Sequence, residues 1–87
     1  MTPAFYGAIK DRITQGLAHH ASSTATEVHE GRLAPAIAVS RQEGYAECAV
    51  AIAQGLLPDE VDRLDVARRA QQSVEVLKMA RDRRTAA

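Results

Sequence analysis

Three prolines, Pro3, Pro35 and Pro58, punctuate the chain where a helix can begin and none can continue. Proline lacks the backbone N–H that a helix interior needs, but in a first helical turn that N–H would be unpaired anyway. After Thr2 and Pro3, a capping hydroxyl and its proline, Phe5, Ile9, Ile13 and Leu17 recur every fourth residue while Lys10, Asp11 and Gln15 turn away. The spacing predicts an amphipathic helix over residues 3–21, in which Gly7 and Gly16 each cost about 1 kcal/mol relative to alanine. Either glycine could serve a close helix contact. Ser22, Ser23 and Thr24 then interrupt the pattern. Thr24 with Glu27 forms a capping box, so a short helix over 25–30 ending at Gly31 is expected, with one continuous bent helix as the competing reading.

The next run, 33–55, is alanine-rich helix with a break near residue 40 as one reading. Leu33, Ile37 and Val39 also fit a short strand, but nothing else in the chain could pair with it. Within SRQEGYAECAVAIAQG, Ser40 and Glu43 form a further capping box and Gly55 suits a terminating turn. Tyr45, Cys48, Ala49 and Ile52 share the side expected inside, and Glu43, Glu47 and Gln54 the side expected outside.

Pro58 opens the last helix, 58–83. Asp59, Glu60 and Asp62 crowd its start and Lys78, Arg81, Arg83 and Arg84 its end, both signs complementing the helix dipole. Leu64, Ala67, Ala70, Gln71, Val74 and Leu77 line its expected core face, and Asp65–Arg69 and Glu75–Lys78 are spaced to pair along it. Thr85 and the two alanines after it are expected to fray. On the opposite side Val61, Val76 and Met79 lie with Arg68 and Gln72, a candidate protein-contact stripe on an otherwise charged face.

The expected fold is therefore one all-α domain over 1–87, a small three- to four-helix bundle. Its core is thin: alanine supplies much of the apolar content, and Phe5, Tyr6 and Tyr45 are the only aromatic residues. A chain of this kind gains by burying more surface against a second copy, so self-association is expected. Acidic and basic residues cancel, leaving no overall field for nucleic acid or an anionic membrane. A single cysteine, Cys48, no basic leader followed by an apolar run and no stretch of bilayer length make a cytoplasmic location the expectation.

Candidate chemistry is sparse. His19, His20, His29 and Cys48 are the soft metal ligands, but the adjacent histidines point about 100° apart on a helix and no ligand spacing is present. Neither a metal nor another cofactor is expected. Cys48 reads as a small core filler. Glu43 and Glu47, one turn apart, could share acid–base work, yet a solvated polar stripe explains them as well. No glycine-rich phosphate cradle or nucleophile motif accompanies them, so no enzyme is expected.

Two stretches resemble known families. Leu17-Ala18-His19-His20-Ala21-Ser22-Ser23-Thr24, continuing to Val28, resembles the helix-turn-helix of repressor-type DNA-binding domains. The resemblance implies a DNA-binding regulator using residues 17–32. Ser22 and Ser23 depart from it, standing where the pattern has glycine and an apolar residue, and Glu27 and Glu30 would repel phosphates. Gly44-Tyr45-Ala46-Glu47-Cys48-Ala49, with Pro58 beyond, is similar to the second helix of a tetratricopeptide repeat, which needs several copies to form its array. The leading expectation is a non-enzymatic interaction or assembly module acting through helix–helix contacts. It would serve as an adaptor, an inhibitor or a subunit of a larger phage or bacterial assembly. Its partner would be itself or another protein, with Val61, Arg68, Gln72, Val76 and Met79 at the contact.

Overall fold

A computed structural model describes residues 3–86, with side chains described for 3–83. The expected Thr2 cap, the Arg84 side chain and Ala87 lie outside the described residues. The described residues form three helices: α1 (Pro3–His29), α2 (Pro35–Leu56) and α3 (Glu60–Ala86). Their connectors, residues 30–34 and 57–59, are so short that consecutive helices must run antiparallel. α1 and α3 therefore run parallel, and each helix touches the other two along a rod of 49 × 18 × 15 Å.

The helix boundaries correct the expectations in each of the three helices. α1 runs unbroken through Ser22–Thr24, so there is no separate helix over 25–30 and no turn in the stretch that resembles a helix-turn-helix. Tertiary packing overrides the weak local propensity: Thr24 is buried, and the Thr26 hydroxyl donates back to the Ser22 carbonyl (3.0 Å). α1 stops where expected, at Gly31. Its φ of +77° lets Gly31 N–H reach Val28 O (3.0 Å) and Arg32 N–H reach Glu27 O (2.9 Å).

α2 begins at Pro35, not at residue 33, and passes through Ser40 without a break. Ser40 is thus mid-helix rather than a cap. The start has no side-chain cap at all; Ala34 precedes the proline and only its carbonyl accepts, from Ala38 N–H. Nor does Gly55 terminate the helix: Gly31 is the one glycine with positive φ among the described residues. Pro58 ends α2, by forcing Leu57 into extended backbone (φ −93°, ψ 120°). Arg63 Nη1 then donates to the carbonyls of Leu57 and Pro58, both at 2.8 Å. α3 starts at Glu60, with Asp59 Oδ1 accepting from Val61 N–H (2.8 Å), and stays helical through Thr85 and Ala86, past the expected end at Arg83.

The core differs from expectation in which faces it uses. In α2 the buried residues are Ala38, Val39, Gln42, Ala46, Ala49 and Ala53, whereas Tyr45, Cys48 and Ile52 are exposed. Their 3-and-4 spacing is that of a closely packed helix seam, and alanines let α2 approach both neighbours. In α3, Ala70, Val74 and Leu77 are buried as expected, but Val66 and Ser73 complete the face, while Leu64 is 62% exposed and Gln71 is also outside. On α1, Leu17 and Val28 are buried, Ile9 and Ile13 half-buried, and Phe5 exposed.

At mid-rod Gln42 is fully buried and ties the three helices together. Its Nε2 donates to Ser73 Oγ (2.9 Å) and more weakly to Leu17 O (3.4 Å). Its Oε1 must then accept from His20 Nδ1 (2.5 Å), which places that ring's proton on Nδ1. Ser73 Oγ in turn donates to Ala70 O (2.7 Å). The His20 ring stacks on Tyr45, centroids 4.4 Å apart. Tyr45 lies across Gly16, where a Cβ would stand 2.5 Å from its hydroxyl oxygen; this is the close contact that requires glycine.

Near one end, Lys10 of α1 pairs with Asp62 (3.2 Å) and Asp65 (3.0 Å) of α3, and Asp65 also binds Arg68 and Arg69. The Asp65–Arg69 and Glu75–Lys78 pairs form as their spacing predicted. Arg68 first, then Lys10, hold the Asp65 carboxyl well below the usual carboxylate range, while Asp65 and then Asp62 raise the Lys10 ammonium above its ordinary value. A lowered carboxylate stabilises the fold above its unfolded pKa, near 4, and that stabilisation fades as pH falls toward the folded value. A raised lysine stabilises below its unfolded pKa, near 10.4, and loses that effect as pH climbs through the folded value. Asp65→Asn should therefore melt below the parent at pH 7, with the gap closing as pH is lowered from 5 to 2. Melting curves across that range check it; a gap as wide at pH 2 as at pH 7 would count against the cluster.

Candidate functional site

Among the described residues, seven buried apolar ones are larger than alanine: Leu17, Val28, Val39, Leu57, Val66, Val74 and Leu77. Nine large apolar ones among them stand exposed: Phe5, Ile37, Tyr45, Ile52, Leu56, Val61, Leu64, Val76 and Met79. The fold keeps many small side chains inside and leaves much of its bulk at the surface. Single exposed apolar residues are ordinary, but eight of these nine gather on two faces.

The first face is the seam between α1 and α2, on the side away from α3. Phe5, Ala8, Ile9, Arg12 and Ile13 with Ile52 and Leu56 line a hollow of about 370 Å³. Arg12, Ile13, Gly16 and His19 with Tyr45, Cys48, Ala49 and Ile52 line a neighbouring one of about 710 Å³. Arg12, Ile13 and Ile52 belong to both, so the two form one groove running from Phe5 to His19, about 21 Å along α1. Its floor is apolar. Arg12, near its middle, is the charged side chain in it and has no ion-pair partner among the described residues.

The groove is held open from behind. Tyr45 is fixed between Gly16 and His20, and His20 is fixed by Gln42, so the bulky wall of α2 rests on the buried polar hub. The sequence treated these bulky residues as core. The signal that could have revealed the groove is that α2 carries two apolar stripes, a small one (Ala46, Ala49, Ala53) and a bulky one (Tyr45, Ile52, Leu56). A helix apolar around most of its circumference needs more than one covering neighbour.

The second face is the outer side of α3. Val61, Val76 and Met79 are exposed at 72%, 56% and 58%, with Arg68 and Gln72 exposed between them. Leu64, misplaced into the core by sequence reasoning, joins this stripe.

The candidate chemical residues do not converge. His19 and Cys48 line the α1–α2 groove with no hydrogen bond between them among the described residues; His20 is committed to Gln42, and His29 is exposed in the last turn of α1. Cys48 is thus exposed, not a core filler. Glu43 and Glu47 line a different hollow, of about 490 Å³, between α2 and α3 with Gln71 and Lys78. Among the described residues no three His, Cys, Asp or Glu side chains group to hold a metal ion, and no helix is long and apolar enough to cross a membrane. Compared with known proteins, the chain matches no family model, no curated protein and no solved structure.

Proposed function

We propose that this chain is a non-enzymatic assembly module that works by docking helices, its α1–α2 groove receiving a fourth helix from a partner. The observation that carries this reading is the groove itself: Phe5, Ile52 and Leu56 stand about half exposed along a seam of helical length and width. Adding one helix there would complete a four-helix arrangement and cover the bulky wall of α2. Helix-in-groove recognition uses apolar anchors at i, i+3/i+4 and i+7, which this floor can accept. Arg12, unpaired at the middle, favours a partner helix with a carboxylate beside its apolar stripe, since a covered cation without a partner would be costly. The outer stripe of α3, Val61, Arg68, Gln72, Val76 and Met79, supplies a second contact surface on the opposite side of the rod.

Cys48 offers a direct test because it is exposed, lines the groove and is the sole thiol. A photo-reactive maleimide on Cys48 should yield one saturable cross-linked species of discrete mass in an extract of the source cells, and Ile52→Glu should abolish it. Adducts no more discrete than those of a probe on Gln72→Cys in a Cys48→Ala background, or adducts indifferent to Ile52→Glu, would overturn the reading.

A further inference from the structure

The chain carries no net charge, but α2 keeps unpaired charges of opposite sign on its two sides. Lys10, Arg32, Arg63, Arg68, Arg69 and Lys78 are each engaged by a carboxylate or a carbonyl of the chain itself. Arg12 and Arg41 have no such partner among the described residues, and both are exposed on the α1–α2 groove side. Arg12 lines both hollows of the groove, and Arg41 stands one turn before Tyr45 on the stripe that continues through Cys48 and Ile52. Glu43 and Glu47, also without an ion pair among the described residues, lie on the other side of α2, in the hollow against α3. Among the described residues no carboxylate lines the α1–α2 groove.

From this arrangement we infer that the groove takes an acidic amphipathic helix, one presenting two carboxylates seven residues apart beside its apolar anchors. This partner chemistry rests on the helix-docking function proposed above and goes beyond it in fixing the number, sign and spacing of the charges. The spacing follows from how α1 packs on α2. Tyr45 lies on Gly16; Arg12 is one turn from Gly16 towards the Phe5 end, and Arg41 one turn from Tyr45 towards the His19 end. The two positions are therefore about 12 Å apart along the rod, and seven residues of helix rise about 11 Å. Seven residues also return to the same face of a helix, two turns on. A helix seated between the two arginines covers the apolar floor at Ile13 and Ile52 and takes water away from both guanidinium groups. A carboxylate beside each restores what that desolvation removes, through a planar fork of donors that suits it. A basic helix would set like charge against like over the same floor.

A displayed library of amphipathic helices of about 18 residues, longer than the groove, tests this partner. Its apolar anchors are fixed, and Glu, Lys, Gln or Ser is allowed at the flanking positions. Selection on the full chain should enrich Glu at two flanking positions seven apart. Arg12→Glu should turn one of those positions to Lys, and Arg41→Glu the other. Both arginines are exposed, so helicity should be unchanged in each variant. Against the best peptide from the parent selection, Arg12→Gln and Arg41→Gln should each weaken binding by at least about threefold, and by less at high salt than at low. Enriched peptides with no acidic preference, or the same peptides from the parent and both reversed chains, would overturn the inference and leave the groove reading standing. Peptides enriched no better on the parent than on an Ile52→Glu chain would overturn both.

Discussion

Gln42→Ala should destabilise the protein by about 2–4 kcal/mol, the range for truncating a large buried side chain in a well-packed core. A chain of this length has about 4–13 kcal/mol in total, so the loss should be plain in urea or thermal unfolding. Four heavy atoms vanish from the point where α1, α2 and α3 meet, and the neighbours there, Leu17 and Ala46 among them, are held by helical backbone that cannot collapse inward. The hydrogen bonds add less than the void does. Ser73 keeps its bond to Ala70 O, and half-buried His20 can turn its Nδ1–H to water. Gln42→Leu, which refills the space, should therefore cost under about 1.5 kcal/mol. An alanine variant no weaker than the leucine variant would show that the amide's hydrogen bonds, and not its volume, secure the seam.

A change in the opposite direction is expected from Gly7→Ala, Gly44→Ala and Gly55→Ala combined. All three glycines lie within α1 or α2, and a Cβ at each would meet no heavy atom within 4 Å. Each substitution removes the entropy that glycine loses on entering a helix, worth about 0.5–1 kcal/mol. The three sites are far apart, so their gains should add to about 2 kcal/mol, with the melting temperature rising by several degrees. Gly16→Ala should be the exception, because the Tyr45 hydroxyl occupies its Cβ position, and Tyr45→Phe should restore most of the gain. If the triple variant showed no increase in stability, one of these helices would have to be frayed at its glycine.

How far the chain could be read depended on the kind of signal. The all-helical class and the end of α1 followed from local chemistry: proline at Pro35 and Pro58, and glycine at Gly31 in a conformation other residues resist. Break points inside helices were misjudged where polar residues imitate caps. Ser40 followed by Glu43 has the pattern of a helix start, yet Val39 and Gln42 on either side are buried, and that packing keeps the backbone helical. Burial was the least legible property. Sequence reasoning ranks bulky residues as core, which put Tyr45, Ile52 and Leu64 inside. The inward face of α2 instead carries alanines, Val39 and one glutamine, because small side chains let α2 approach both neighbours closely. The groove was hidden by that same assumption. The α3 stripe was visible because Val61, Val76 and Met79 contrast with a charged face.

An odd number of antiparallel helices puts the first and last described residues at opposite poles of a rod 49 Å long. Tension applied between those poles runs along the helix axes, so it cannot peel the helices apart one contact at a time. It must slide α1 past α3 and break the Leu17, Gln42 and Leu77 layers together. The domain should resist pulling in that geometry far better than pulling between Pro3 and Pro58, which share a pole, where a load separates α1 from its neighbours layer by layer.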